Sequence, residues 1–303
     1  KQTQKVTAQM PLYSLPVEIA VRTSTGSKVA QLHTILLDKK RASLSIAAPQ
    51  RPAVVEVDPK MKLLAAWRFR AGPDVLAAAA RFGRHPDVRF RATHALRRGG
   101  LRSPSAVKLL LEILAKDPAR HVRAKAAKVL GGGVRKDVRA ALLKAAKEDA
   151  EAVVRRAAAE SLGRLYDEAS LPSLLALARD DKSPRVRLTS LQAADRIAPE
   201  KARKTVVSAL KWPSFRDRLQ VGALTILAKR GDVAVGPAIA AAAAAGQPKS
   251  VRAGAAYALA AIAVRQDHKP TRARARQALE AMLQSPTLRI RHAAASALGT
   301  LGD

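Results

Sequence analysis

Cysteine is absent from the 303 residues, which removes disulfide frameworks, thiolate metal sites and thiol nucleophiles. Aromatic residues make up 3% of a chain that is 48% hydrophobic, so alanine, leucine and valine must do the packing, and side chains this small favour closely spaced helices. Acidic residues are scarce as well: 24 Asp plus Glu face 55 Lys plus Arg, a net charge of +31. Such a charge makes a polyanionic surface an obvious class of partner, although charge alone names no function. Long apolar runs are also missing. The most apolar stretch, VAVGPAIAAAAAAG at 233–246, is too short and too alanine-rich to span a bilayer, and no signal-peptide apolar segment opens the sequence. The residues read as a soluble chain without a membrane span. Because it begins at Lys1, it reads as a fragment or a processed form.

What the sequence does have is repetition. DPARHVRAKAAKVLGGG at 117–133, DAEAVVRRAAAESLG at 149–163 and DKSPRVRLTSLQAAD at 181–195 are close variants of one phrase. Aligned on the arginine, copies fall at Arg89, Arg123, Arg155, Arg187, Arg218, Arg252 and Arg291, with steps of 34, 32, 32, 31, 34 and 39 residues. A period in this range implies a solenoid with one helix pair per repeat. Pro86, Pro118, Pro184, Pro213, Pro248 and Pro286 each stand three to five residues before the arginine. Proline suits a first helical turn, and Asp117 before Pro118 has the character of an N-cap. The helix then continues as RAKAAKVL, RRAAAESLGRL or RHAAASALGTL, with alanine and leucine at i, i+3, i+4 and i+7 on an apolar stripe. SPSAVKLLLEILAK, VRAALLKAAK, LPSLLALAR, KARKTVVSAL and ARARQALEAML supply the partner helices.

Helix pairs of this length, with Asp, then Val-Arg, then an alanine-rich helix, resemble HEAT repeats over residues 71–303. The match is specific in three copies: Asp117/Arg123, Asp149/Arg155 and Asp181/Arg187. The resemblance implies that these residues form a structural ladder, each arginine reaching an aspartate of a neighbouring repeat. In the other copies Gly83, Trp212, Gly246 and Ser285 stand where the acid would be.

Residues 1–70 follow a different period. LYSLPVEIAVRTSTGSKVAQLHTILL alternates apolar and polar residues across a turn at Thr25-Gly26, and ASLSIAA and AVVEVD continue the alternation. About four strands are predicted, with the end of a fifth in KQTQKV. The expected architecture is therefore mainly α: a small β-sandwich over 1–70, truncated in its first strand, followed by a HEAT-like α-solenoid of about seven helix pairs over 71–303.

The ordered set QTQ, LPVEI and VDP ahead of helical repeats resembles the C-terminal half of the aminopeptidase N family of zinc metallopeptidases. That resemblance implies a sandwich acting as spacer and a helical wall beside a catalytic domain of the same protein or of another. Zinc would belong to that missing domain, and no cofactor is expected on this chain. Zinc peptidase chemistry needs two histidines one helical turn apart with a water-activating glutamate, as in H-E-x-x-H. None of His33, His85, His94, His121, His268 and His292 is followed by glutamate. GRHPD and LQSPT lack a nucleophile elbow, and Gly131-Gly132-Gly133 closes a helix rather than opening one. No catalytic or metal residue is assigned.

Surface remains. Arg91, Lys125, Lys128, Arg156, Arg164 and Arg196 lie on second helices of successive repeats and form a candidate patch for an anionic partner. Against a dedicated nucleic-acid track, the charge is spread, with 12 basic and 4 acidic residues already in 1–70. The two function classes carried forward are a non-catalytic part of an aminopeptidase-like protein and a free-standing basic scaffold for nucleic acid or an acidic protein.

Overall fold

A computed structural model describes residues 2, 5–7, 9, 11–27, 29–48, 50–65, 71–97, 103–133, 136–265 and 269–302. The chain divides into two compact units, Lys1–Ala141 and Leu142–Asp303.

The first unit opens with β1 (Leu15–Arg22), β2 (Gln31–Leu37) and β3 (Val54–Val57), in a three-stranded antiparallel sheet of order β2-β1-β3. Central β1 buries Val17 and Val21, which alternation places on one face, and Ala20 on the other. ASLSIAA at 42–48 is not a strand, which corrects the expected count. Leu44 there is 41% exposed; alternation without a partner edge or a covering layer leaves backbone groups with no ladder to join. Within KQTQKV, Lys1, Thr3 and Gln4 fall outside the described residues. Gln2 is buried but not paired as a strand: its side-chain amide donates to the carbonyls of Tyr13 (2.6 Å) and Leu37 (3.0 Å) and accepts the Tyr13 N–H.

β3 packs on α1 (Pro73–Phe82), which is followed by α2 (Pro86–Leu96), α3 (Pro104–Lys116) and α4 (Arg120–Leu130). Two arginines tie sheet to helices. Arg22, 3% exposed, donates to the Phe82 carbonyl at 2.6 Å and pairs with the equally buried Glu56 at 3.3 Å, while Glu56 accepts the Arg84 N–H. Arg91 donates to the carbonyls of Val57 (2.8 Å) and Asp58 (3.3 Å).

Helix α5 (Lys136–Glu148) runs across the boundary between the units. The second unit continues with α6 (Ala152–Leu165), α7 (Leu171–Asp180), α8 (Pro184–Ile197), α9 (Pro199–Ala209), α10 (Arg218–Arg230), α11 (Gly236–Ala243), α12 (Lys249–Arg265), α13 (Lys269–Leu283) and α14 (Leu288–Leu301). The architecture is a mainly helical, HEAT-like solenoid. Within each unit the even-numbered helices pack directly on one another, α2 on α4 in the first and α6 on α8 and α10 on α12 in the second, with odd-numbered helices packed beside them. Small residues permit that approach: a Cβ on Gly163 of α6 would lie 2.7 Å from the Ala193 Cβ of α8, and one on Gly254 of α12 would lie 3.3 Å from Leu224 of α10.

Two local expectations change. Helix α4 begins at Arg120, not at Pro118, and Asp117 is not its N-cap; the Asp117 carboxylate instead accepts the Ala119 N–H two residues on, at 2.8 Å. In α10 the repeat position falls on Gln220, not Arg218. The residue before each repeat arginine is a fully buried Val or Ile, and in α10 that residue is Leu219, at 0% exposure. The left-handed residues Arg216 and Asp217 (φ 53° and 52°) delay the helix start there and shift the register.

Candidate interaction surface

The aspartates and arginines at the repeat turns form one recurring device. Asp117, Asp149 and Asp181 each accept the backbone N–H two residues ahead, of Ala119, Glu151 and Ser183, at 2.7–2.9 Å. This Asx turn is why a short carboxylate stands at the helix–helix junction. In the first turn of α6, Arg155 uses all three of its guanidinium nitrogens: Nη1 reaches the carbonyls of Asp149 (2.9 Å) and Ala150 (3.0 Å), while Nε and Nη2 hold Asp181 of the following repeat at 2.7 and 3.0 Å. The Asp181 hydrogen bonds raise the Arg155 pKa further above its ordinary range. In the first unit Arg89 does the same, with Nη1 on Gly83 and Arg84 and a two-bond clamp on Asp117 at 2.7 and 3.1 Å. Arg123 holds its own turn through the Asp117 carbonyl at 2.8 Å.

Where the next repeat has no acid, the arginine turns back. Arg187 donates Nε to Ala178 at 2.9 Å and lays its guanidinium 4.7 Å from the centre of the Trp212 ring. Arg252 donates Nε to Ala243 at 3.1 Å. Arg187 therefore clamps no aspartate, and the aromatic ring at the acid's place takes the cation instead.

The six candidate patch residues fall in both units, Arg91, Lys125 and Lys128 in the first and Arg156, Arg164 and Arg196 in the second, and their surroundings differ. Arg91 is half-buried against the end of β3, and desolvation lowers its pKa. Lys125 is half-buried over the Phe90 ring at 4.4 Å; desolvation, then repulsion from Lys128 and Arg97, lowers its pKa. Lys128, Arg164 and Arg196 are exposed and Arg156 is half-exposed. Arg164 is engaged by Ser161 at 2.8 Å and by Glu160 at 3.9 Å. Counted from the repeat arginine, Arg91 and Lys125 stand at the second position and Arg164 and Arg196 at the ninth, seven residues on and therefore on the same helix face, while Lys128 and Arg156 stand at the fifth and first positions.

Among the described residues no group of three or more His, Asp or Glu could hold a metal ion, and no helix is long and apolar enough to cross a membrane. His268 lies outside the described residues. Sequence reasoning missed Gly163 and Gly254, whose role depends on a second helix, and Gln220, whose signal was the buried apolar residue before it.

The sequence pattern of HEAT repeats matches residues 61–131 and 107–194, and the chain carries HEAT repeats over that region. No curated protein matches the sequence. Among solved structures the chain is similar to YibA of E. coli (23% identity, TM-score 0.55, 77% of this chain and 82% of that one). It is also similar to Kap121p bound to Pho4p (16% identity, TM-score 0.54, 76% of this chain and 29% of that one), and to human deoxyhypusine hydroxylase in complex with glycerol (20% identity, TM-score 0.39, 76% and 96%).

Proposed function

We propose, from the premise of a HEAT-repeat array, that this chain is a non-catalytic scaffold that holds an acidic protein partner. The observation that carries this reading is the fate of the cations. Arginines at the repeat junctions are consumed internally, Arg91 and Lys125 are half-buried in structural contacts, and of the candidate patch only Lys128, Arg164 and Arg196 are exposed. A nucleic-acid track needs charges that follow evenly spaced phosphates; separate cations on a net charge of +31 suit the discrete carboxylates of a folded protein. Structures of the same fold class accommodate protein partners, as Kap121p does with Pho4p and Nup53p.

The test is capture on the immobilised chain from cells that make it, with nuclease present and at roughly 0.2 M salt. A protein retained under these conditions and cross-linked to α6 or α8 supports the reading. Loss of all bound material with nuclease, together with steeply salt-dependent binding of a random duplex, overturns it.

A narrower reading makes the chain the non-catalytic part of an aminopeptidase N-like protein, with its catalytic domain as the partner and zinc held there. Its support is the motif order alone: LPVEI on β1 and VVEV on β3 pair in one sheet that leads into the repeats. None of the matches reported above is to a peptidase. Coding sequence upstream decides it: H-E-x-x-H there supports this reading, and a gene starting near Lys1 removes it.

A further inference from the structure

Helices α7 and α11 are one element built twice, and the second copy is hollow. In each, an aspartate at the head of a short 3-10 turn accepts the N–H two residues on: Asp167 from Ala169 at 3.1 Å, and Asp232 from Ala234 at 2.9 Å. Each helix has a proline in its first turn, Pro172 or Pro237, and each is closed by an arginine Nε, Arg187 on the Ala178 carbonyl and Arg252 on that of Ala243. These pairs all stand the same number of residues apart, so the two copies align without a gap. Glu168, Leu171 and Leu175 of the first then correspond to Val233, Gly236 and Ala240 of the second.

The exchanges leave space. Leu171 is buried in its repeat, whereas a Cβ on Gly236 would meet nothing within 4 Å. Around Gly236 and Ala240 lies a cavity of about 300 Å³, walled by the buried Leu259 and Ile262 of α12, with the exposed Val233 and Arg274 of α13 at its edge. Leu259 stands where α8 has Ala194, which returns the carbons of one leucine and not of both. The charge at the rim changes with the volume. In the first copy Glu168 pairs with Lys201 of the following helix α9. In the second, Val233 takes the acid's place and no acidic residue lines the cavity. Arg272 and Arg276 of α13 are engaged by the Leu301 carbonyl and by Glu280, while Arg274 between them has no ion pair or hydrogen bond among the described residues.

We propose that this cavity binds a small monocarboxylate with an apolar body of about eight carbons, the body against Leu259 and Ile262 and the carboxylate on Arg274. Size sets the body: the cavity has about twice the ~150 Å³ that accepts benzene in an apolar core, and walls of this kind hold water poorly. Charge complementarity sets the head group: a guanidinium fork with no acid beside it selects a bidentate carboxylate. A polyanion does not suit an apolar chamber with a single cation at its edge. The site is independent of the scaffold reading, since none of Lys128, Arg164 and Arg196 takes part in it.

The probes are octanoate and its uncharged counterpart 1-octanol, titrated into the full chain by isothermal calorimetry at neutral pH. Octanoate is expected to saturate one site with a Kd of about 1 mM or tighter. Arg274→Gln weakens octanoate at least about fivefold and leaves the octanol isotherm unchanged. Gly236→Leu together with Ala240→Leu restores the residues of α7 and abolishes binding of both probes, while the melting midpoint holds or rises. Gly236 has helical backbone angles (φ −49°, ψ −49°) and so accepts a side chain. Should the double variant unfold, Ala240→Leu alone carries the filling test. The filled protein keeps every basic side chain, so general attraction of the anion to a net charge of +31 does not imitate the expected loss. Saturation that survives filling, octanoate affinity unchanged by Arg274→Gln, or no saturable binding up to roughly 10 mM octanoate overturns the site. None of these results bears on the capture experiment, through which the scaffold reading stands or fails separately.

Discussion

Arg155 and Asp181 share two nearly parallel hydrogen bonds, Nε to Oδ2 at 2.7 Å and Nη2 to Oδ1 at 3.0 Å, with the arginine side chain 13% and the aspartate side chain 4% exposed. A lysine in place of the arginine keeps the charge and loses the fork. Arg155→Lys is expected to lower unfolding stability by about 2 kcal/mol, through lost charged hydrogen bonds and unsatisfied turn carbonyls. Urea denaturation at neutral pH measures it, and a loss near zero means that charge alone suffices.

Gly163 makes a second, purely steric prediction. A new Cβ would meet the Ala193 Cβ at 2.7 Å and its backbone Cα at 2.8 Å, and backbone cannot move aside without displacing α8. Gly163→Ala is expected to destabilise by about 1–3 kcal/mol. The same change at Gly222 meets the flexible Leu188 side chain and should cost less. The order of the two midpoints in parallel melts checks this; the reverse order refutes the close approach of α6 and α8.

Trp212 stands where three other repeats carry aspartate, and Arg187 lies against its ring at 4.7 Å. Trp212→Ala removes both the ring and the cation's partner, at a cost of about 2–4 kcal/mol for a partly buried tryptophan. Trp212→Asp restores an acid within the repeat pattern and is expected to be less destabilising than the alanine change. Equal midpoints for the two variants would show that Arg187 has no use for a carboxylate there.

Lys125 is held by burial and by Lys128 and Arg97 below the ordinary lysine pKa of 10.5. The unfolded chain therefore keeps this proton to higher pH than the folded chain does, and the stability contributed at this site rises with pH as the folded-state group deprotonates. Lys125→Met, which fills similar space without charge, is expected to raise stability at pH 7 by well under about 1 kcal/mol, since solvent screens a half-exposed group. That advantage shrinks as pH approaches 10.5. Melts of both proteins at pH 7 and near pH 10 check the sign.

The helix pairs were legible because proline, a buried Val or Ile and an arginine recur at nearly constant spacing, and each has a local cause. The strand at 42–48 was misread because alternation records only a preference for two faces; whether a face is covered depends on residues far away in sequence. Arg218 was misaligned because two left-handed residues shift the start of α10, and only the burial of Leu219 shows the true register. The surface patch was the least legible element. Nothing in the sequence around Arg91 or Lys125 reveals that a strand end and a phenyl ring lie within reach of their charges.

Arg89 and Arg155 each join adjacent repeats by clamping the aspartate of the next one. A double-mutant cycle on Arg155→Ala, Asp181→Ala and the double variant, followed by chemical denaturation, tests it most directly. Each single change is expected to cost about 3–5 kcal/mol, and the double change less than their sum, with a coupling of at least about 1.5 kcal/mol. Singles with an unchanged midpoint, or costs that simply add, would contradict the account.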